Sequence, residues 1–278
     1  MPLVLIAMLM PGIGKSRELS NRSYCAANLR GIAMSMNVYA ADNMDTFPVV
    51  KPAAVRGNYS FASAGNSGQT IADRAIEQYY SGTAGRGSVT ACWWVLVLKN
   101  QVSPKQFICK SDPVGAAAPA GIVNAAAQYQ LDFSAANQFS YSSAYPWEGT
   151  SVGGWWKNVT DSNLPIMSDI APKAGTGSPP AAPSTAGTAG KAVNSNNHQR
   201  DGQNVAFSDA HTEFVRRPDV GPRSGMVQDN LWTYSGGLGP SPTGITITGG
   251  SVGAYSSPAM PYDVIMVPIR DVSTGTTY

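Results

Sequence analysis

Apolar residues fall at Cys25, Leu29, Ile32, Met36 and Tyr39, a spacing of +4, +3, +4, +3. That spacing lines one face of an α-helix, so SYCAANLRGIAMSMNVYAADN is expected to form an amphipathic helix. Asn28, Arg30, Ser35 and Asn37 lie off the apolar face. Upstream, Leu3–Met10 is apolar throughout and is followed by Pro11, then by the basic Lys15 and Arg17. Pro11 predicts a kink between the apolar segment and the amphipathic helix. No proline interrupts from Lys15 to Phe47. ADNMDTFP then ends the helix, because Asn43 and Asp45 favour turns and Pro48 disfavours a helical Phe47.

The later pattern is shorter in period. TACWWVLVLKN (Thr90–Asn100) is an apolar run that fits a buried strand or a short helix, and periodicity does not arbitrate at that length. KQFICK and NLPIMSDI read as strands. NVAFSD and HTEFV alternate apolar and polar residues, which predicts a strand pair or one bent strand around Asp209-Ala210. Val205, Phe207 and Phe214 are the core candidates there, with Val205 and Phe207 expected to pack on the helix. GITITGG and DVIMVPI supply late strands. Lys173–Lys191 is rich in Gly, Pro, Ala, Ser and Thr and reads as a mobile surface loop rather than a domain boundary. The sum is an α+β chain: a long N-terminal helix packed on a mostly antiparallel β-sheet with long loop insertions. It divides into a helix over residues 1–45 and a globular domain over 46–278.

Composition narrows the class. Charged residues make up 13% of the 278, about half the usual ~25%. The net charge is +2 and no Lys/Arg stripe interleaves with aromatics, which argues against a nucleic-acid partner. Low charge with abundant Ser, Thr, Asn and Gly leans toward an extracytoplasmic surface. A membrane-spanning helix needs about 20 apolar residues, more than the opening run supplies. That run has no basic segment before it and no small-residue cleavage site after it, so it is not a secretory signal. A buried core strand or helix end is one reading. The other is the end of a membrane helix that begins upstream of Met1, and the amphipathic helix behind it favours this second reading. Residues 3–13 are then a partial anchor, through Leu3, Val4, Leu5, Ile6 and Leu9.

The three cysteines, Cys25, Cys92 and Cys109, show no CxxC and no metal-finger spacing, which argues against a thiol-built zinc site. One disulfide would leave one cysteine over, and three pairings are open.

NNHQRDGQNVAFSDAHTEFV (Asn196–Val215) concentrates the remaining chemistry, with both histidines of the chain. His198, Asp201, Asp209 and His211 would offer a metal two imidazoles and carboxylates if the loop folds back. No HExxH spacing and no nucleophile–base pair is present. The preferred reading is structural: these side chains bond turn backbone groups. Asp42, Asn43 and Asp45 have oxygen ligands that suit Ca²⁺, against which stands a solvated helix end. There is no GxSxG elbow, and PGIGK lacks phosphate-loop spacing. Neither a resident cofactor nor catalysis is expected.

LMPGIGKSREL…YCAANLRGIAMSMNVYAADNMDTFP resembles the first helix of type IV pilin-like proteins. It is most similar to the large prepilin-type proteins of planctomycete-like bacteria, often labelled type II secretion pseudopilins. LKNQVSPKQFICKSDP, FSYSSAYPW and PIMSDIAP resemble later segments of that family. The Asn196–Val215 stretch, with VQDNLWTY after it, resembles its His…Gly-Gln-Asn-Val…Asp-Gly-His signature. Two features depart from the family pattern. No Gly–aromatic peptidase junction and no acidic residue precede Glu18, and Ala210 stands where the family has glycine. The resemblance implies a non-enzymatic filament subunit of a type II secretion or type IV pilus-like system. It would be anchored in the bacterial inner membrane by its N-terminal helix, face the periplasm and partner other pilin-like subunits. The resemblance also implies a Cys25–Cys109 disulfide and leaves room for calcium. The competing reading is an extracytoplasmic metal-binding domain or metal-dependent enzyme centred on His198, Asp209 and His211.

Overall fold

The computed structural model describes residues 2–50, 69–81, 88–114, 117–119, 121–148, 151–172, 194–224, 227–232 and 264–270. Lys173–Lys191 and GITITGG lie outside these residues, and so does the first residue of DVIMVPI.

Helix α1 spans Pro2–Asp42. It runs through Pro11 without a break, so the predicted kink does not divide it. The +4/+3 apolar series is its core face: Cys25, Leu29 and Ile32 are fully buried, and Met36 and Tyr39 almost so. The polar flank is anchored as well. Asn28 Nδ2 donates to the Ile108 carbonyl, Ser35 Oγ to that of Gln101, and Asn37 Nδ2 to that of Ser208. The helix stops where expected. Met44 and Asp45 take left-handed φ values of 53° and 61°, and the Asn43 side chain donates to the Tyr39 carbonyl at 2.7 Å.

Two shorter helices follow. Helix α2 is Ala72–Ser81, an element the sequence pattern did not announce. Helix α3 is Val89–Leu98, which resolves the ambiguous TACWWVLVL run. All ten residues of α3 are buried, so it carries no amphipathic signal for periodicity to find. Ser88 caps it by accepting from Ala91 N, and Ser88 and Thr90 both donate to the buried Asp132. Trp93 packs against the rings of Phe107, Phe133 and Phe139 at the centre of the core.

The strands in chain order are β1 Tyr141–Ala144, β2 Trp147–Glu148, β3 Ser151–Val152, β4 Pro165–Asp169 and β5 Ala171–Pro172. Then come β6 Gln203–Phe207, β7 Thr212–Val215, β8 Arg223–Ser224, β9 Val227–Gln228, β10 Met266–Val267 and β11 Ile269–Arg270. The main sheet has the order β10-β1-β4-β6-β7 and is antiparallel throughout. Among the described residues only β11 and β5 pair in parallel. The α+β class and the antiparallel sheet under an N-terminal helix therefore match the sequence reading.

Three local expectations are corrected. KQFICK is no strand: Pro104–Phe107 forms a 3₁₀ turn whose start is tied by Gln106 Oε1 accepting from Ser103 N. The Asn204 side chain belongs to the cluster beneath α1, so period-two alternation turns Val205 and Phe207 to the opposite face of β6. Phe214 is half-buried, not core, because β7 is the edge strand. The β6–β7 pair turns at Asp209-Ala210, where Ala210 holds a left-handed φ of 67°. The alanine thus holds a backbone conformation that favours glycine.

Candidate functional site

Three segments meet α1 on its core face. Cys25 comes from the core face of α1. Cys109 follows the Pro104–Phe107 turn, and Asp169 ends β4. His198 sits in a 3₁₀ turn, Asn197–Arg200. All four are buried, and their ligand-type atoms lie within 4.8 Å of one another.

The loop that delivers His198 is built from amides and hydroxyls. Asn194 Nδ2 donates to the carbonyls of Arg200 and Arg216, and Ser195 Oγ donates to that of Ile170 at 2.7 Å. Asn197 Nδ2 reaches the Ser140 carbonyl and Asp169 Oδ1. His198, Gln199 and Arg200 then take φ values of 55°, 57° and 60° in succession, a tight left-handed turn. Gly202 follows because nothing larger fits: a Cβ there would lie 2.3 Å from the Val215 carbonyl and 2.9 Å from the Phe214 ring.

Both imidazole nitrogens of His198 are engaged. Nδ1 lies 2.7 Å from Glu18 Oε1, and Glu18 is itself held by Ser111 Oγ at 2.8 Å and by Arg22 at 3.6 Å. Nε2 faces Asp169 Oδ2 at 3.3 Å, Asn204 Nδ2 at 3.1 Å and Cys109 Sγ at 3.7 Å. Asp169 Oδ2 also accepts from the Asn204 backbone N–H at 2.6 Å and from its side-chain amide at 3.1 Å. Burial depresses the His198 imidazole pKa, but the charge and hydrogen bond of Asp169, with a contribution from Cys25, outweigh this and raise it to about 11. The Cys25 thiol is lowered to about 6, chiefly by a hydrogen bond from Cys109 and against the effect of burial. Burial pushes the Cys109 thiol far up.

The sequence-predicted residues divide. His198 belongs to this centre. Asp201 stands at its rim, 2.6 Å from Arg22, whose guanidinium also lies over the Phe214 ring. Asp209 and His211 do not join it. They pair with each other at 2.5 Å on the exposed β6–β7 turn, with the His211 ring stacked on Phe207. Slight burial would raise the Asp209 carboxyl, but hydrogen bonds from His211 hold it below the usual range. The constellation His198/Asp209/His211 is therefore not assembled. Asp42 and Asp45 join no cluster of three or more acidic, histidine or cysteine donors among the described residues.

Cys25 and Cys109 are neighbours, as the resemblance implied, but the structure holds both as free thiols, hydrogen-bonded rather than bridged. Their proximity also assembles by tertiary contact what their sequence spacing argued against, a pair of sulfurs beside an imidazole. The sequence reading missed Glu18, Asp169 and the Asn194–Asn197 run. The last carried a signal, four consecutive hydrogen-bonding side chains directly before a histidine. A second buried charge centre, Arg270 with Asp112 and the carbonyls of Ala136 and Phe139, carried none.

No known protein family, curated protein or solved structure matches the chain. Among the described residues no helix is long and apolar enough to cross a membrane.

Proposed function

We propose that the chain is a non-enzymatic pilin-like subunit of a type II secretion or type IV pilus-like filament. It is anchored at the bacterial inner membrane through the N-terminal part of α1, with the globular domain facing the periplasm. The observation that carries this reading is the division of labour along α1. Its second half is the spine of the core from Cys25 to Ala40, while Gly14–Arg17 are exposed and the helix continues back to Pro2 through an apolar sequence. More than twenty residues of helix precede Cys25, over 30 Å at about 1.5 Å per residue. A helix satisfies its own backbone in lipid and can pack against copies of itself, which is what a membrane-stored filament subunit needs.

The test uses the full chain with synthetic vesicles. Wild type is expected to float with vesicles and to cross-link to itself through a cysteine placed at Leu5. Leu5→Asp with Leu9→Asp should abolish both and leave the urea midpoint unchanged, because each aspartate costs about 2.5–3.5 kcal/mol at membrane depth. A wild type that neither floats nor self-associates overturns the proposal. So does a double variant that unfolds, because the segment would then belong to the core.

A further inference from the structure

We infer that Cys25 Sγ, Cys109 Sγ, a carboxylate oxygen of Asp169 and His198 Nε2 form a four-coordinate site for a zinc-class divalent cation that fastens α1 to the sheet. The geometry carries it. Cys109 Sγ to His198 Nε2 is 3.7 Å, and His198 Nε2 to Asp169 Oδ2 is 3.3 Å. A tetrahedron with ordinary zinc bond lengths has an S···N edge of about 3.5 Å and an N···O edge of about 3.4 Å. No pair of donors exceeds 4.8 Å. An S···S edge of about 3.8 Å is therefore reached by a contraction of about 1 Å or less.

The donor set names the class. Two sulfurs, an imidazole and a carboxylate suit zinc and its neighbours, not calcium or magnesium, which take oxygen. The surroundings are those of a metal centre as well. Histidine ligands typically give their second nitrogen to a carboxylate that fixes the ring, and Glu18 lies 2.7 Å from Nδ1. Asp169 is oriented by the Asn204 backbone N–H at 2.6 Å and by Asn197. When the ion enters, Nε2 gives up any proton and each thiol releases one to the buffer, so affinity falls as pH falls. All four donors come from the protein and all are buried, so the site is closed and structural, with no position for substrate. The ion would join four segments far apart in sequence. It competes with a Cys25–Cys109 disulfide, which would consume both sulfurs. The proposal is independent of membrane anchoring.

The experiment takes the reduced, chelator-stripped full chain in detergent, with folding checked by circular dichroism, and titrates it with Co²⁺. Wild type is expected to show thiolate-to-cobalt charge transfer and tetrahedral ligand-field bands that saturate stoichiometrically and vanish on adding Zn²⁺. Cys25→Ser and Cys109→Ser should each weaken the charge transfer, and the double variant should lose it. Glu18→Gln should keep the bands with affinity about 10–100-fold weaker, as for other residues that orient a ligand. His211→Ala should change nothing. Folded, reduced wild type without these bands at excess cobalt overturns the proposal, whatever the variants do. Bands that persist in the double cysteine variant also overturn it.

Discussion

Asp169→Ala should be among the most damaging single changes in the described structure. The carboxylate is fully buried and accepts from Asn204 N at 2.6 Å, Asn204 Nδ2 at 3.1 Å and Asn197 Nδ2 at 3.3 Å, and it faces His198 at 3.3 Å. Not every donor is orphaned by its loss. Asn197 Nδ2 keeps the Ser140 carbonyl at 3.1 Å. The Asn204 backbone N–H loses its 2.6 Å acceptor, and a buried donor left unpaired costs about 1–3 kcal/mol. His198 loses one of its two carboxylate partners, with Glu18 remaining 2.7 Å from Nδ1, and breaking a buried pair costs up to about 3–5 kcal/mol. The two costs overlap, so about 3–5 kcal/mol is expected in total. With a urea m-value of about 2.5 kcal/mol/M, that is a midpoint shift of between about 1 and 2 M. The measurement is urea unfolding with chelator present, which separates this effect from any bound ion. Asp169→Asn preserves shape and one acceptor oxygen and should lose about half as much. His211→Ala, at an exposed turn, should stay within about 0.5 kcal/mol of wild type. An Asp169→Ala midpoint no lower than that of His211→Ala, at unchanged m-value, would refute the claim that the buried network holds the helix to the sheet.

Three further outcomes are expected. Phe207→Ala should cost about 3 kcal/mol, the low end for a buried phenylalanine, because the ring borders an open surface cavity of about 440 Å³; urea midpoints read it directly. Ala210→Gly should stabilise by about 0.5–1 kcal/mol, because glycine adopts φ 67° freely while a side chain there costs about 1–2 kcal/mol, partly offset by glycine's entropy in the unfolded chain; a lower urea midpoint would contradict this. The pH dependence of the metal-free chain follows from two opposed shifts. The His198 contribution is complete below pH 6.5 and is lost as pH rises toward about 11, whereas that of Cys25 is complete above pH 9 and is lost as pH falls toward about 6. Their slopes cancel between about pH 6.5 and 9. Urea midpoints of wild type should therefore hold roughly level there and fall from pH 9 to 11, where the raised Cys92 and Cys109 thiols add to the His198 loss, so the fall should be smaller but not absent in His198→Gln.

How much of this was legible depends on the range of the interaction. The face of α1 was readable because burial on a helix repeats every few residues, and Cys25, Leu29, Ile32, Met36 and Tyr39 obey that repeat. The β6–β7 pair was readable because alternation and a turn signal coincide at Asp209-Ala210. Helix α3 was not, because total burial erases periodicity, and KQFICK was misread because a 3₁₀ turn with two apolar residues mimics half a strand. The centre beneath α1 shows the same limit more sharply. Asp209 and His211 are close in sequence to His198, and that closeness made them candidates. The left-handed turn at His198–Arg200 instead drives the imidazole inward, while β6 carries Asp209 and His211 out to the exposed turn. The acidic and thiol groups that do meet His198 come from positions 18, 25, 109 and 169. Nothing local marks them, because three different elements place them: Glu18 and Cys25 lie two turns apart on α1, Cys109 follows the Pro104–Phe107 turn, and Asp169 ends β4. The absence of CxxC excludes a metal finger whose knuckle is local; it does not exclude sulfurs that a sheet and a helix bring together. A thiol pair distant in sequence is therefore judged by whether its elements pack on one another, and here the core face of α1 packs on the Pro104–Phe107 turn that leads into Cys109.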